Sequence, residues 1–337
     1  MNLPAHGRPN SMLVLVAFAI IYIVWGSTYF FIKLALESFP PYMLAFLRFG
    51  FASLMMLGWC LVKGERLFEA RSLINAFIIG VLLLFCGNGA VVLGEKVLPS
   101  AVVAILWSSQ PLSFVVMDSK NWRSNFKNKL TLVGLVLGFL GVLMLFGGQL
   151  SSIFTSGTAD FHMGGMFLVI GGTIAFSAGS LYAKHHPTTL APAANITWQM
   201  LAASTVFLVY SIFNGEFALV EWRQVTGLSW MAIFYLAIFG SVIAFSAYVW
   251  LLSVRPVTQV STFAYVNPVV AIILGAAFAE EHISLLQFGG LLIILISVLF
   301  VNLSKYKGWR FLRYFRPKRR KDIESKSCKI EAECKIC

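Results

Sequence analysis

Eleven polar or aromatic side chains fall inside long apolar runs of this chain. The first half supplies Trp25, Arg48, Asn88, Trp107 and Gln110; the second supplies Tyr182, Trp198, Gln199, Tyr248, Tyr265 and Asn267. These residue types bind solutes rather than break bonds. A guanidinium draws an anionic group such as a carboxylate, amides donate and accept hydrogen bonds, and aromatic rings line pockets for amphipathic molecules. Each also has a plainer use. Arg48, about seven residues into its apolar run, either snorkels to an interface or faces a cavity. Asn88 sits between Gly87 and Gly89, where it either ties close-packed helices together or lines a cavity. The rings serve packing or interfacial belts as well as pockets.

Two of the amides precede prolines, Gln110 before Pro111 and Asn267 before Pro268. A proline inside a helix removes one donor and frees the carbonyl four residues back, here Trp107 and Ala264. The expectation is a helix kink at Pro111 and at Pro268, with each amide either satisfying the opened backbone or touching the solute. Acids are scarce, 14 in all. Glu95 and Glu281 lie nearest the membrane, as helix-end groups first and as proton-coupling groups second. The chain has no HExxH, Walker loop or dinucleotide glycine signature, and no convincing Ser/His/Asp set. No enzymatic activity, cofactor or metal is therefore expected, and ATP-driven pumping would need a separate subunit.

The elements that must position these side chains follow from composition. The 337 residues are 58% hydrophobic and only 12% charged, against about 25% charged in soluble domains. An integral, all-α polytopic membrane protein is expected. Ten apolar stretches are long enough to span, at 12–32, 42–62, 73–93, 100–117, 130–147, 163–182, 194–213, 230–252, 258–278 and 284–303. The first reads as a spanning helix rather than a cleaved signal. With ten spans both termini share a side. Ten basic residues lie on that side before the tail (Arg8, Lys63, Arg66, Arg71, Lys120, Arg123, Lys127, Lys129, Lys184 and Arg255), against Lys96 and Arg223 on the other. The positive-inside rule places both ends in the cytoplasm. The net charge of +12 reflects this bias and a tail holding twelve of the 26 Lys and Arg, so no nucleic-acid partner is expected. The tail segment 305–321 alternates basic and aromatic residues, as an anchor on anionic membrane lipid does. Cys60 and Cys86 read as small packing groups.

The prolines reveal a repeat. Pro99 and Pro111 align with Pro256 and Pro268 at an offset of 157, and Lys33 aligns with Lys184 at 151. Gly134 and Gly290 sit near the start of the last span of each half. The chain divides into 1–150 and 160–303, joined by a linker at 151–160 and followed by a basic tail at 304–337. Five spans is an odd number, so the second copy enters the membrane from the opposite face. Inverted repeats of this kind suit alternating access. Arg48 aligns with Gln199, so the side chains of the site break the symmetry of the backbone.

IIYIVWGSTYFFIKLALESFPPYMLAFLRF at 20–49 and the second-copy stretch 254–300, with Tyr265-Val266-Asn267-Pro268, resemble the EamA family of the drug/metabolite transporter superfamily. The likeness covers about 12–303 and is greatest to its YedA-like inner-membrane transporters. It implies ten helices in two inverted repeats and a central cavity built from the first four helices of each half. It also implies a peripheral fifth helix in each half, used in many members as a homodimer contact, and export of amino acids or other small metabolites. Glu281 and Gly290 follow the family's acidic-turn and glycine pattern, whereas SKNWRSNFKNKLTLVG before Gly134 lacks the acid, which favours a structural role for Glu281. The expected function is a secondary transporter of a small amphipathic anion or zwitterion in the cell inner (plasma) membrane. A channel or facilitator is the alternative; it calls for a continuous polar stripe, while these polar groups cluster near mid-membrane. A membrane-embedded enzyme is the third reading.

Overall fold

The computed structural model describes residues 11–98, 100–155, 159–279 and 285–303, all of them in helices or short connections. In chain order the helices are α1 (Ser11–Leu36), α2 (Pro41–Lys63), α3 (Ala70–Ile79), α4 (Gly89–Val97), α5 (Ser100–Trp107), α6 (Gln110–Met117), α7 (Trp122–Lys127) and α8 (Lys129–Thr155). They continue with α9 (Ala159–His185), α10 (Pro192–Phe213), α11 (Glu216–Leu219), α12 (Gly227–Tyr235), α13 (Ala244–Val254), α14 (Val257–Val260), α15 (Phe263–Ala279) and α16 (Leu285–Leu303). A π-helical segment, Gly80–Asn88, joins α3 to α4, and another, Leu236–Ile243, joins α12 to α13. Among the described residues six helical rods are long and apolar enough to cross a membrane: Ser11–Leu36, Pro41–Lys63, Ala70–Val97, Met163–His185, Pro192–Phe213 and Gly227–Val254. Shorter apolar helices cover Val102–Met117, Lys129–Met144 and Gly289–Val301.

Local chemistry sets several of the boundaries. Pro41 and Pro192 open α2 and α10, where the missing N–H has no helical partner to lose. Gly64 ends α2 in the left-handed region, φ 64°, and its N–H bonds back to the helix, as glycine does at low cost. Large apolar side chains cover the outside of the bundle: Val62 and Phe213 are each 85% exposed. Such a surface suits lipid rather than water.

The rods pair in a regular way. α2 packs along α10, α8 along α16, and α5 against α15. α1 packs on the 227–254 rod, and α9 on the 70–97 rod. Close approach needs small residues at the contacts. A Cβ on Gly80 would lie 2.3 Å from the backbone carbonyl oxygen of Gln199, which side-chain rearrangement alone cannot relieve. Gly80→Ala is expected to lower the stability of the purified protein by about 1–3 kcal/mol, read as an earlier unfolding midpoint in detergent. Gly58→Ala, where nothing lies within 4 Å, is the control and should leave the midpoint in place.

The structure differs from the sequence-based expectations at two points. The helix interruptions fall before the prolines in the chain rather than at them. The 100–117 stretch breaks at Ser108–Ser109, and the 257–279 stretch at Ser261–Thr262. In both, hydroxyls bond back to carbonyls three residues earlier: Ser108 to Ile105 at 2.6 Å, Ser109 to Leu106 at 2.7 Å, and Thr262 to Gln259 at 2.6 Å. Unbroken helix carries the same back-bond at Ser27, Thr28 and Ser53, and at 108–109 Pro111 also removes the donor that the Trp107 carbonyl would take. Pro111 then falls in the first turn of α6, where it is tolerated, while Pro268 lies inside α15. The stretch 151–160 expected as a linker is helical in part, since α8 runs to Thr155 and α9 starts at Ala159.

Candidate solute site at the centre of the bundle

α1 supplies one wall of a small central cavity, through Trp25, Thr28, Tyr29 and Ile32. Arg48 of α2 and Asn88 and Val91 of the 70–97 rod add to it. Trp107, Phe176, Phe263 and Asn267 complete the lining. The cavity measures about 30 Å³, room for roughly two waters and too little for an amino acid.

Arg48 dominates its electrostatics. The residue is 3% exposed. Its Nε donates to Ser241 Oγ at 3.0 Å, and its guanidinium carbon lies 4.9 Å from the Phe49 ring centre. Among the described residues no carboxylate pairs with it. Gly240 leaves space for the guanidinium, since a Cβ there would lie 3.2 Å from Nη2. An unpaired charge in such a place is costly, and an anionic guest would offset it. Asn267 is 2% exposed, and its Oδ1 is buried without a partner. Asn88 Nδ2 donates to Leu83 O within the wide π turn at 3.3 Å.

Aromatic rings enclose the polar groups. Trp25 donates through Nε1 to Gly240 O at 3.0 Å, which fixes its indole. Its ring centre is 4.7 Å from Phe263 and 5.1 Å from Tyr248. Trp107 meets Phe176 edge-on at 5.5 Å. Tyr248 is fully buried and shares a 2.7 Å hydrogen bond with Ser180.

Of the eleven side chains singled out from sequence, Trp25, Arg48, Asn88, Trp107 and Asn267 line this one space. The other six lie outside its lining, among them Gln199, buried with its Oε1 unpartnered. Tyr248 packs behind Trp25. Tyr265 donates to Leu135 O at 2.9 Å, against α8. Trp198 donates to Leu67 O at 2.7 Å, and Tyr182 to Asn75 Oδ1 at 2.9 Å. Gln110 is buried with both amide atoms unpartnered. Glu95 also has both carboxylate oxygens buried without partners, and Glu281 lies outside the described residues. Sequence reasoning missed Thr28, Tyr29, Ile32, Val91, Phe176 and Phe263. One signal was available: 25, 28, 29 and 32 form a single helical stripe beginning at Trp25.

Carboxylates clasp both ends of the bundle. At the end opposite the basic connections, Glu216 of α11 accepts from the Met43 N–H at 2.7 Å, the Tyr42 N–H at 3.3 Å and Ser211 Oγ at 3.1 Å. It caps α2 from another helix, where a negative charge is favoured. At the basic end Cys60 Sγ donates to Glu65 at 3.5 Å. Nearby, Glu69 accepts from the Ser72 and Thr189 hydroxyls, which, with Arg71, hold its carboxyl below the usual range.

A polytopic helical bundle built around a small polar and aromatic chamber suits a membrane carrier of small solutes. The chain belongs to the EamA-like transporter family, whose profile matches residues 12–147 and 163–303. It is 36% identical over 288 residues to a protein called the uncharacterized inner membrane transporter YedA of Escherichia coli K12, covering 85% of this chain and 89% of that one. It is 24% identical to the uncharacterized transporter YvbV of Bacillus subtilis 168, covering 84% and 90%. A solved crystal structure of a protein matches with a TM-score of 0.69 at 17% identity, over 88% of this chain and 99% of that one; this likeness speaks to the fold alone.

Proposed function

We propose that this protein is a secondary transporter that exports a small amphipathic anion or zwitterion of the amino-acid type, by alternating access around Arg48. The observation that carries the reading is the buried Arg48 guanidinium, without a carboxylate partner among the described residues, at an aromatic cavity also lined by Asn88 and Asn267. A solute carboxylate would take the open face of the guanidinium, and the rings would hold its apolar part.

The proposed architecture is ten spans in two inverted five-helix repeats, with both ends in the cytoplasm of the inner membrane. Three features support it. Exchanging the halves maps the α1 contact with the 227–254 rod onto the α9 contact with the 70–97 rod. Both of those rods carry a π segment. Cys60 and Glu65 recur as Ser211 and Glu216, at the same offset of 151 that relates Lys33 to Lys184. The peripheral α8–α16 pair is the proposed homodimer face, and the basic tail the proposed lipid contact. For coupling we assign Glu95: both its oxygens are buried without partners, and it stands one helical turn beyond Val91, which lines the cavity.

Proteoliposomes exposed to a pool of labelled amino acids and related small carboxylates test the reading, with and without a pH gradient. Saturable flux that the gradient accelerates is expected. Saturable flux indifferent to the gradient would make the protein a facilitator and remove Glu95 from the mechanism. Absence of saturable flux for every solute in the pool would count against the amino-acid class.

A further inference from the structure

A second cavity, about 320 Å³ in volume, opens at the basic end of the bundle. That is within the size range of small-molecule sites and about ten times the central space. Asp118, Asn121, Lys184, Arg255 and Thr258 provide its polar lining. Charges of both signs therefore face one space, yet no ion pair joins Asp118 to Arg255 among the described residues. Asp118 is 5% exposed, and its two oxygens each lie 3.0 Å from Asn121 Nδ2, a neutral donor. Lys184 Nζ donates to the Arg255 carbonyl at 2.7 Å, which fixes that cation beside the cavity. Arg255 Nε is buried with no partner. At the inner wall Thr258 is 1% exposed, and its hydroxyl also lacks a partner.

Placement links this cavity to the central one. Thr258 belongs to α14, the interruption at Ser261–Thr262 follows, and Phe263 lines the central site. Five residues separate Thr258 from Phe263, a rise of roughly 7.5 Å if helical. The broken segment thus runs from a roomy charged cavity to a small aromatic one.

We propose that the basic-end cavity is a docking site for a zwitterionic solute ahead of the central site, with Arg255 taking its carboxylate and Asp118 its ammonium. The proposal rests on the transporter reading above and names a second station on the same route. An acid and a base held apart across one cavity match a molecule carrying both charges better than an ion of either sign.

The test uses the full chain with its five cysteines replaced by serine and one new thiol, Ser253→Cys, on the cavity wall. In vesicles with the basic end accessible, a charged thiol reagent labels this site, and the probes are glycine, alanine and phenylalanine, with acetate and methylamine as single-charge controls. The amino acids are expected to protect the thiol and the controls not to. Asp118→Asn and Arg255→Gln should each raise the half-protecting concentration about tenfold or more, and Arg255→Lys should recover part of the loss. Arg48→Ala should leave protection intact, which separates this site from the central one. The proposal is overturned by no protection, by protection from acetate or methylamine alone equal to that from glycine, or by protection that survives both charge-neutralising variants in well-folded protein. Loss of protection in Arg48→Ala would move the protecting site to the central cavity and overturn it equally. Transport without protection would sink this site and leave the transporter reading standing.

Discussion

Arg48→Met sharply weakens solute affinity in transport and raises the thermal stability of the empty carrier: this is the result expected if the guanidinium exists for a guest. Methionine has similar length and suits apolar surroundings. Replacing a buried ionic group by a packed apolar one is neutral or stabilising by about 1–4 kcal/mol, and Arg48 offers little to lose, with one neutral hydrogen bond and one ring contact. Removing one partner of a buried charge pair costs about 2–5 kcal/mol of binding, so half-saturation should rise at least about 30-fold. Arg48→Lys keeps the charge but loses the planar fork and should fall between. Transport assays on reconstituted variants and unfolding midpoints in detergent read the two halves of the result. A lower midpoint for Arg48→Met would show that the residue holds the fold together, and unchanged half-saturation would remove it from the solute site.

The second large effect is expected at Glu216. Its carboxylate satisfies two N–H groups at the start of α2 and the Ser211 hydroxyl, and it is 4% exposed. Hydrogen bonds to a charged group contribute about 1.5–3 kcal/mol each when counted singly. Glu216→Gln keeps one acceptor oxygen and loses the charge that favours a helix start. If the clasp holds the opposite end shut, a loss of about 1.4 kcal/mol admits roughly ten times more of the form open at that end. A cysteine at Thr28, on the cavity wall, should then react about tenfold faster with a reagent added from that side. Glu216→Ala should go further and lower the unfolding midpoint. Equal reactivity in Glu216→Gln and the parent would show that the clasp braces the fold and does not gate it.

Fold and site were legible to different degrees, for a physical reason. Apolar runs mark the membrane, and their polar interruptions mark depth, so Arg48, Asn88 and Asn267 could be singled out before any coordinates. Depth does not report rotation. A helix with lipid on one side and protein on the other is apolar all round, so nothing in the letters separates Tyr265, which turns toward α8, from Asn267, which lines the cavity. Four aromatics of the expected site sit at packing contacts, Trp198 and Tyr265 on the backbone carbonyls of Leu67 and Leu135, Tyr182 and Tyr248 on the side chains of Asn75 and Ser180. Proline marked the neighbourhood of the Ser108–Ser109 break, since Pro111 leaves the Trp107 carbonyl without its helical donor, but gave no sign of Ser261–Thr262, which lies more than one turn before Pro268. Glu216 was hidden because an acid in a connection reads as solvated, and its burial depends on α2 arriving from the other half of the chain.

The wide turns at Gly80–Asn88 and Leu236–Ile243 have a bearing on how the two rods are read. A regular α-helix advances about 100° per residue. A π turn takes in an additional residue per hydrogen-bonded loop, so the rod beyond it is out of step with the rod before it. Asn88 closes the first such segment, and Val91, one turn on, shares its cavity. A helical wheel drawn from Ala70 in one unbroken period would point both of them the wrong way. Each rod behaves as two helices joined with an angular offset, and the position of that offset along the rod decides which residues the chamber sees.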